Sequence, residues 1–142
     1  MIGALPFGFW IAKMRGIDIR EHGSGNIGAT NVHRVLGARF GVATLAGDII
    51  KGFLPVWAAI LVSDLAWFPP LVGVIAFVGH CWPAYLEFRG GKGVATVAGV
   101  LLGLSPLVML FAATIWMATF LVFRRSSAAA IVAAVSIPFL MA

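Results

Sequence analysis

The chain has 142 residues, 61% of them hydrophobic and 11% charged, with a mean hydropathy of +1.04. Surface-to-volume scaling gives a soluble domain of this size too little interior to hide so much apolar surface, so a soluble globular protein is excluded. The net charge of +5 comes without a basic tract or basic–aromatic interleaving, which excludes nucleic acid and points to membrane orientation and anionic partners.

The expected fold is therefore all-α: a polytopic transmembrane helix bundle with short or broken helices, forming one domain over residues 1–142. The first apolar segment, Ile2–Ala12, is about half of the roughly 20 residues a span needs, and it lacks the basic start of a cleavable signal. A polar stretch, Lys13 to Asn31, follows. A second apolar segment runs from about Phe40 to Val62, and "SDLAWFPP" makes a turn with Trp67 and Phe68 as interface anchors. A third spans Leu71–Leu86, then "EFRGGKG" forms a second polar loop. The fourth starts at Val94 and meets "GLSP" at Gly103–Pro106. Val94–Leu102 rises only about 14 Å, too little to cross alone. The fifth runs from Leu107 to Phe123, and the last begins after "RRSS" and stops without a polar flank. Both terminal segments are short, so the chain is expected to be incomplete at both ends.

Basic residues set the expected orientation. Lys13, Arg15, Arg20, Arg34 and Arg39 surround the first loop, Arg89 and Lys92 the second, and Arg124 and Arg125 precede the last helix. The turn at Ser63–Pro70 has none. The positive-inside rule puts the three basic loops in the cytoplasm.

Two loops carry chemistry. In "GSGNIGATN", Gly23, Gly25 and Gly28 permit positive φ, and Ser24, Asn26, Thr30 and Asn31 add hydroxyls and amides. Successive backbone N–H groups there can form an anion nest ahead of a helix starting near Thr30 or Asn31. Arg34 on its first turn opposes the macrodipole unless an anion binds between them. Alternatively the loop is a solvated turn with a chance basic neighbour. "EFRGGKGVAT" repeats the pattern with Gly90, Gly91, Gly93, Arg89 and Lys92. Thr96, four residues after Lys92, would share a helical face with it. Leu86 occupies the position of a P-loop's first glycine, so no Walker motif is present. Two such loops on one face make a phosphate-bearing ligand the economical reading over a plain basic loop.

Asp48 and Lys51, three apart in an apolar helix, read first as a structural ion pair, with a site role as the alternative. His80, in "GHCWPAY", reads first as a packing residue and otherwise as a base for a substrate hydroxyl. His22 and His33 read as surface residues. Cys81 is the only cysteine and reads as a small buried residue, with no metal site and no cofactor expected. The sequence contains no His-x4-Asp pattern and no G-x-S-x-G elbow. An enzyme built from it would work by positioning and electrostatics rather than by a side-chain nucleophile.

"GSGNIGATNVHR" and "GHCWPAYLEFRGGKGVAT", with "LPFGFWIAK", "GIDIREHG" and "GDIIKGFLP", resemble the PlsY family of bacterial membrane glycerol-3-phosphate acyltransferases that use acyl phosphate. The resemblance covers nearly the whole chain. It implies a seven-helix bundle in the bacterial inner membrane, with the active-site loops cytoplasmic. It implies transfer of an acyl group from acyl phosphate to the 1-hydroxyl of glycerol 3-phosphate, giving lysophosphatidic acid and phosphate. By the same resemblance Ser24, Arg34 and Lys92 hold phosphate groups. Gly25, Asn26, Thr30, Asn31 and His80 fall on motif positions, and Gly90, Gly91 and Gly93 line the acyl-phosphate site. Ser24, His80 and Lys92 are the candidates for positioning and proton transfer. The family's third motif, a C-terminal run with His, Asn and Arg, has no counterpart in residues 1–142. Two other readings share the basic loops: a transporter of a phosphorylated anionic solute, with its site nearer the midplane, and a non-catalytic phospholipid-binding subunit.

Overall fold

Glycines, prolines and polar loops cut the apolar sequence into helices. The structure, a computed structural model, describes residues 2–141 and is all-helical among them. After a 3-10 turn at Ile2–Ala4 come α1 (Phe7–Lys13), a 3-10 turn at Ile19–Glu21, α2 (Ala29–Leu36), α3 (Ala38–Val62), α4 (Phe68–Cys81), a 3-10 turn at Ala84–Leu86, α5 (Val94–Leu104), α6 (Pro106–Phe123) and α7 (Ser126–Met141). Among the described residues three segments are long and apolar enough to cross a membrane: Ala38–Val62, Phe68–Leu86 and Pro106–Phe123. The expected break at "GLSP" is present. Ser105 ends α5, its hydroxyl accepts from the Val108 amide at 3.4 Å, and Pro106 opens α6.

The third helix is the hub. It runs antiparallel to α4, with Gly73 against Val56 and His80 beside Asp48, and parallel to α5, with Gly99 against Ile49 and Phe53 and Gly103 against Val56. Its contact with α5 is backbone to backbone. A Cβ on Gly52 would collide with the Thr96 carbonyl, and one on Gly99 with the Ile49 carbonyl. Small residues permit this approach, which is how helices gain packing where lipid supplies no hydrophobic drive. Gly99→Leu is expected to force α3 and α5 apart at a cost of at least about 1–3 kcal/mol, read as a lower melting temperature in detergent.

The first two helices do not span. They pack on α3 near its start, with Phe7 against Gly47 and Gly41 against His33, and the loop between them caps that end of the bundle. Ala12, Ile19, Ile27, Val32 and Leu86 make a buried apolar layer beneath the polar loops, with Phe9, Ile11, Val35, Leu36 and Phe40 packed around it. Leu86, the residue that breaks the P-loop pattern, hooks the second loop onto the first. Outside this layer, large apolar side chains such as Trp57, Leu61, Val74, Leu110 and Phe139 are exposed along the helices, as a lipid solvent requires.

Candidate functional site

The first loop is built around Asn31. Its side chain, 2% exposed, accepts from the Ser24 amide at 2.9 Å and donates to the carbonyls of Ile19, His22 and Asn26 at 3.3, 2.9 and 2.9 Å. Asn26 folds back in the same way, its side-chain oxygen accepting from the Gly28 amide at 2.9 Å. Gly23 and Gly25 have φ of +62° and +70°, conformations that disfavour a side chain. Gly28 departs from the expectation. Its φ is −77°, and it serves as the N-cap residue of α2.

This geometry corrects the expected anion nest. The amides of Ser24, Gly25 and Gly28 are all bonded inside the loop, and those of Gly90 and Gly91 bond the Cys81 and His80 carbonyls at 3.1 and 3.2 Å. Five of the amides expected to face an anion are occupied because each loop must satisfy its own backbone. Asn31, expected to bind substrate, instead holds the loop. Asn31→Ala would leave one amide and three carbonyls without their partner, costing about 1–3 kcal/mol for buried groups. The expected result is faster proteolytic nicking between residues 19 and 31 and lower melting.

Side chains are left to face outward. Ser24, Thr30, Arg34 and Lys92 are exposed. Asn31 and Val35 of α2 face Gly23, and Arg34 follows Asn31 by three residues on the same helix. The helix begins at Ala29, so Arg34 lies in its last turn, where the dipole favours a cation. The expected conflict with the macrodipole is absent. Neither Arg34 nor Lys92 forms a salt bridge among the described residues.

The pairing of Lys92 with Thr96 on one helical face is overturned. Gly93, with φ +76°, ends the loop in the left-handed region and α5 starts at Val94, so Lys92 lies outside the helix. Thr96 is fully buried, and its hydroxyl has no hydrogen-bond partner.

The two loops meet in a polar cleft of about 390 Å3 lined by Asp18, Arg20, Glu21, Gly25, Glu87, Arg89 and Gly90. Asp18 grips Arg20 in a two-pronged ion pair, with Nε to Oδ1 at 3.0 Å and an Nη to Oδ2 at 2.7 Å. Hydrogen bonds from the Arg20 side chain and amide hold the Asp18 carboxyl down to about 2. Across the cleft, Glu87 and Phe88 adopt φ of +55° and +61°, turning the chain sharply ahead of Arg89. Arg89 belongs to the second of the two loops expected to carry chemistry, whereas Asp18, Arg20, Glu21 and Glu87 are not among the expected site residues. The clustered charges of "GIDIREHG" were the available signal.

Beneath the cap lies a charged cluster inside the bundle. Lys51 donates to Asp48 at 2.7 Å and to the Leu5 carbonyl at 2.6 Å, and both side chains are almost fully buried. The expected ion pair is present. His80 Nδ1 lies 3.7 Å from the same carboxylate oxygen, without a hydrogen bond. His80 is 3% exposed, in keeping with its reading as a packing residue. Cys81 is free and half-buried, and no group of three metal-ligating side chains occurs among the described residues.

Apolar helices of spanning length beneath a cap bearing uncompensated cations define an integral membrane protein with a polar site at one face. Comparison with known proteins gives the family. The family model described as glycerol-3-phosphate acyltransferase matches residues 1–142. The chain is 48% identical over 142 residues to the glycerol-3-phosphate acyltransferase of Geotalea daltonii, covering all of this chain and 73% of that one. It is 42% identical to the Aquifex aeolicus protein of that name, over 96% of this chain and 71% of the relative. Crystal structures of PlsY, an integral membrane glycerol 3-phosphate acyltransferase, superpose with TM-scores of 0.94 for the glycerol 3-phosphate form and 0.92 for the lysophosphatidic acid form. Their identities to this chain are 41% and 40%, over 99% of this chain and 70% of theirs. The chain belongs to the glycerol-3-phosphate acyltransferase family.

Proposed function

We propose that residues 1–142 belong to a single acyltransferase domain of the bacterial inner membrane, with its polar cap in the cytoplasm. It transfers a fatty acyl group from acyl phosphate to the 1-hydroxyl of glycerol 3-phosphate. The observation that carries this is the meeting of two cationic loops at one end of an apolar bundle. Both substrates bear phosphate, and one bears a long acyl tail. A cap with exposed Ser24, Thr30, Arg34 and Lys92 suits the phosphates, and the lipid-facing helices suit the tail.

The hydroxyl oxygen attacks the acyl carbonyl carbon. The new ester C–O bond forms as the carbonyl–phosphate C–O bond breaks, and the hydroxyl proton passes to the departing phosphate. The donor is already activated, so the protein supplies position and charge rather than a nucleophile. Arg34 with Ser24 holds the glycerol 3-phosphate phosphate. Lys92, carried between Gly91 and Gly93, stabilises the charge that grows on the leaving phosphate. Gly25 and Gly90 line the cleft without occupying it, Gly91 and Gly93 seat the second loop on α4, and Asn26 and Asn31 keep the first loop in place.

The test is donor choice. Acyl phosphate should give product in lipid or detergent, and acyl-CoA should give none. Equal product from both donors would overturn the assignment of donor. Phosphate-solute uptake into vesicles without product would favour the transporter reading.

A further inference from the structure

Asp48, Lys51 and His80 lie within the bundle, outside the proposed chemistry, yet they stand directly under the residue that carries it. Three elements converge there. Lys51 of α3 donates to the Leu5 carbonyl of the N-terminal segment, and that segment packs on α4 where Gly79 meets Ala4. Asp48 faces His80 Nδ1 on α4. Above His80, the Gly91 amide donates to its carbonyl, and a Cβ on Gly91 would collide with its Nε2. Gly93 rests in the same way on Phe77 and Cys81. Lys92 is thus held between two glycines seated on the last turn of α4.

We infer that the Asp48–Lys51–His80 cluster is a buried platform that positions Lys92, through the His80 ring and Gly91, for phosphate binding. A well-packed apolar trio would serve folding as well as a buried ion pair, which must offset the desolvation of both charges. The ionic cluster adds a fixed direction. The carboxylate, held by Lys51, stands 3.7 Å from Nδ1, too far for a hydrogen bond, and packs beside the ring on which Gly91 sits, so the pair fixes where that ring can lie. These are positioning residues, and the inference rests on the reading of Lys92 as a phosphate ligand.

The test measures protection of Lys92. The full chain in detergent is acetylated with acetic anhydride over a series of inorganic phosphate concentrations. Modification of Lys92 is read by mass spectrometry, and melting is followed in parallel. In the parent, phosphate should protect Lys92. In Asp48→Leu/Lys51→Met, which removes both charges together, melting should stay near the parent's while the protecting concentration rises at least tenfold. His80→Gln should behave alike, and it decides the matter if the double variant does not fold. An unchanged protecting concentration in a folded variant would overturn the platform and leave the phosphate role of Lys92 standing. No protection in the parent would overturn that role, and the platform with it.

Discussion

Lys51→Ala should lower stability by about 3–5 kcal/mol, the usual cost of leaving one buried charge without its partner. Lys51 is 1% exposed and Asp48 2% exposed, so water cannot replace the lost ammonium beside the carboxylate. The Leu5 carbonyl would lose its donor as well. Asp48→Leu combined with Lys51→Met should recover most of that loss, because the apolar pair removes both desolvation costs together. A double-mutant cycle read by thermal melting in detergent checks this. A near-zero coupling between the two sites would show that the charges do not act as a pair.

Arg34→Ala and Lys92→Ala should each reduce kcat/KM for acyl transfer by about 10- to 100-fold, from roughly 1.5–3 kcal/mol per hydrogen bond to a charged group at about 1.4 kcal/mol per tenfold. The two should differ in kind. In the proposed reaction Arg34 holds a phosphate that keeps its charge throughout, so its loss should appear chiefly in KM for glycerol 3-phosphate. Lys92 is proposed to bind the phosphate whose charge grows as the acyl bond breaks, so its loss should appear chiefly in kcat. Steady-state kinetics with both substrates varied separates them. Both side chains are exposed and neither is salt-bridged among the described residues, so melting should stay unchanged.

Helix positions were legible in the sequence because hydrophobic runs and their interruptions report directly on a bilayer solvent. Phe40–Val62 was expected and α3 is Ala38–Val62; the break near Gly103–Pro106 was expected and Ser105 makes it. The buried Asp48–Lys51 pair followed from spacing and the cost of intramembrane charge. The loops were less legible. Glycine content suggested free amides, but whether an amide is free depends on which carbonyl lies opposite, and the carbonyls of His80 and Cys81 are far from Gly90 and Gly91 in sequence. The role of Asn31 as a hub could not be read from its type, since a binding amide and a loop-holding amide look alike. Lys92 and Thr96 show the limit of spacing arguments: one left-handed glycine between them cancels the helical register. Nothing in the sequence signalled that Phe88 turns through a positive φ.

The most direct test supplies the chain, in lipid or detergent, with acyl phosphate and glycerol 3-phosphate and counts lysophosphatidic acid and released phosphate together. The Geotalea daltonii relative serves as positive control and Lys92→Ala as negative. The two products should appear in equal amounts and fall together in the variant. Phosphate release without lysophosphatidic acid, or equal turnover by Lys92→Ala, would contradict a cap that positions both phosphates for acyl transfer.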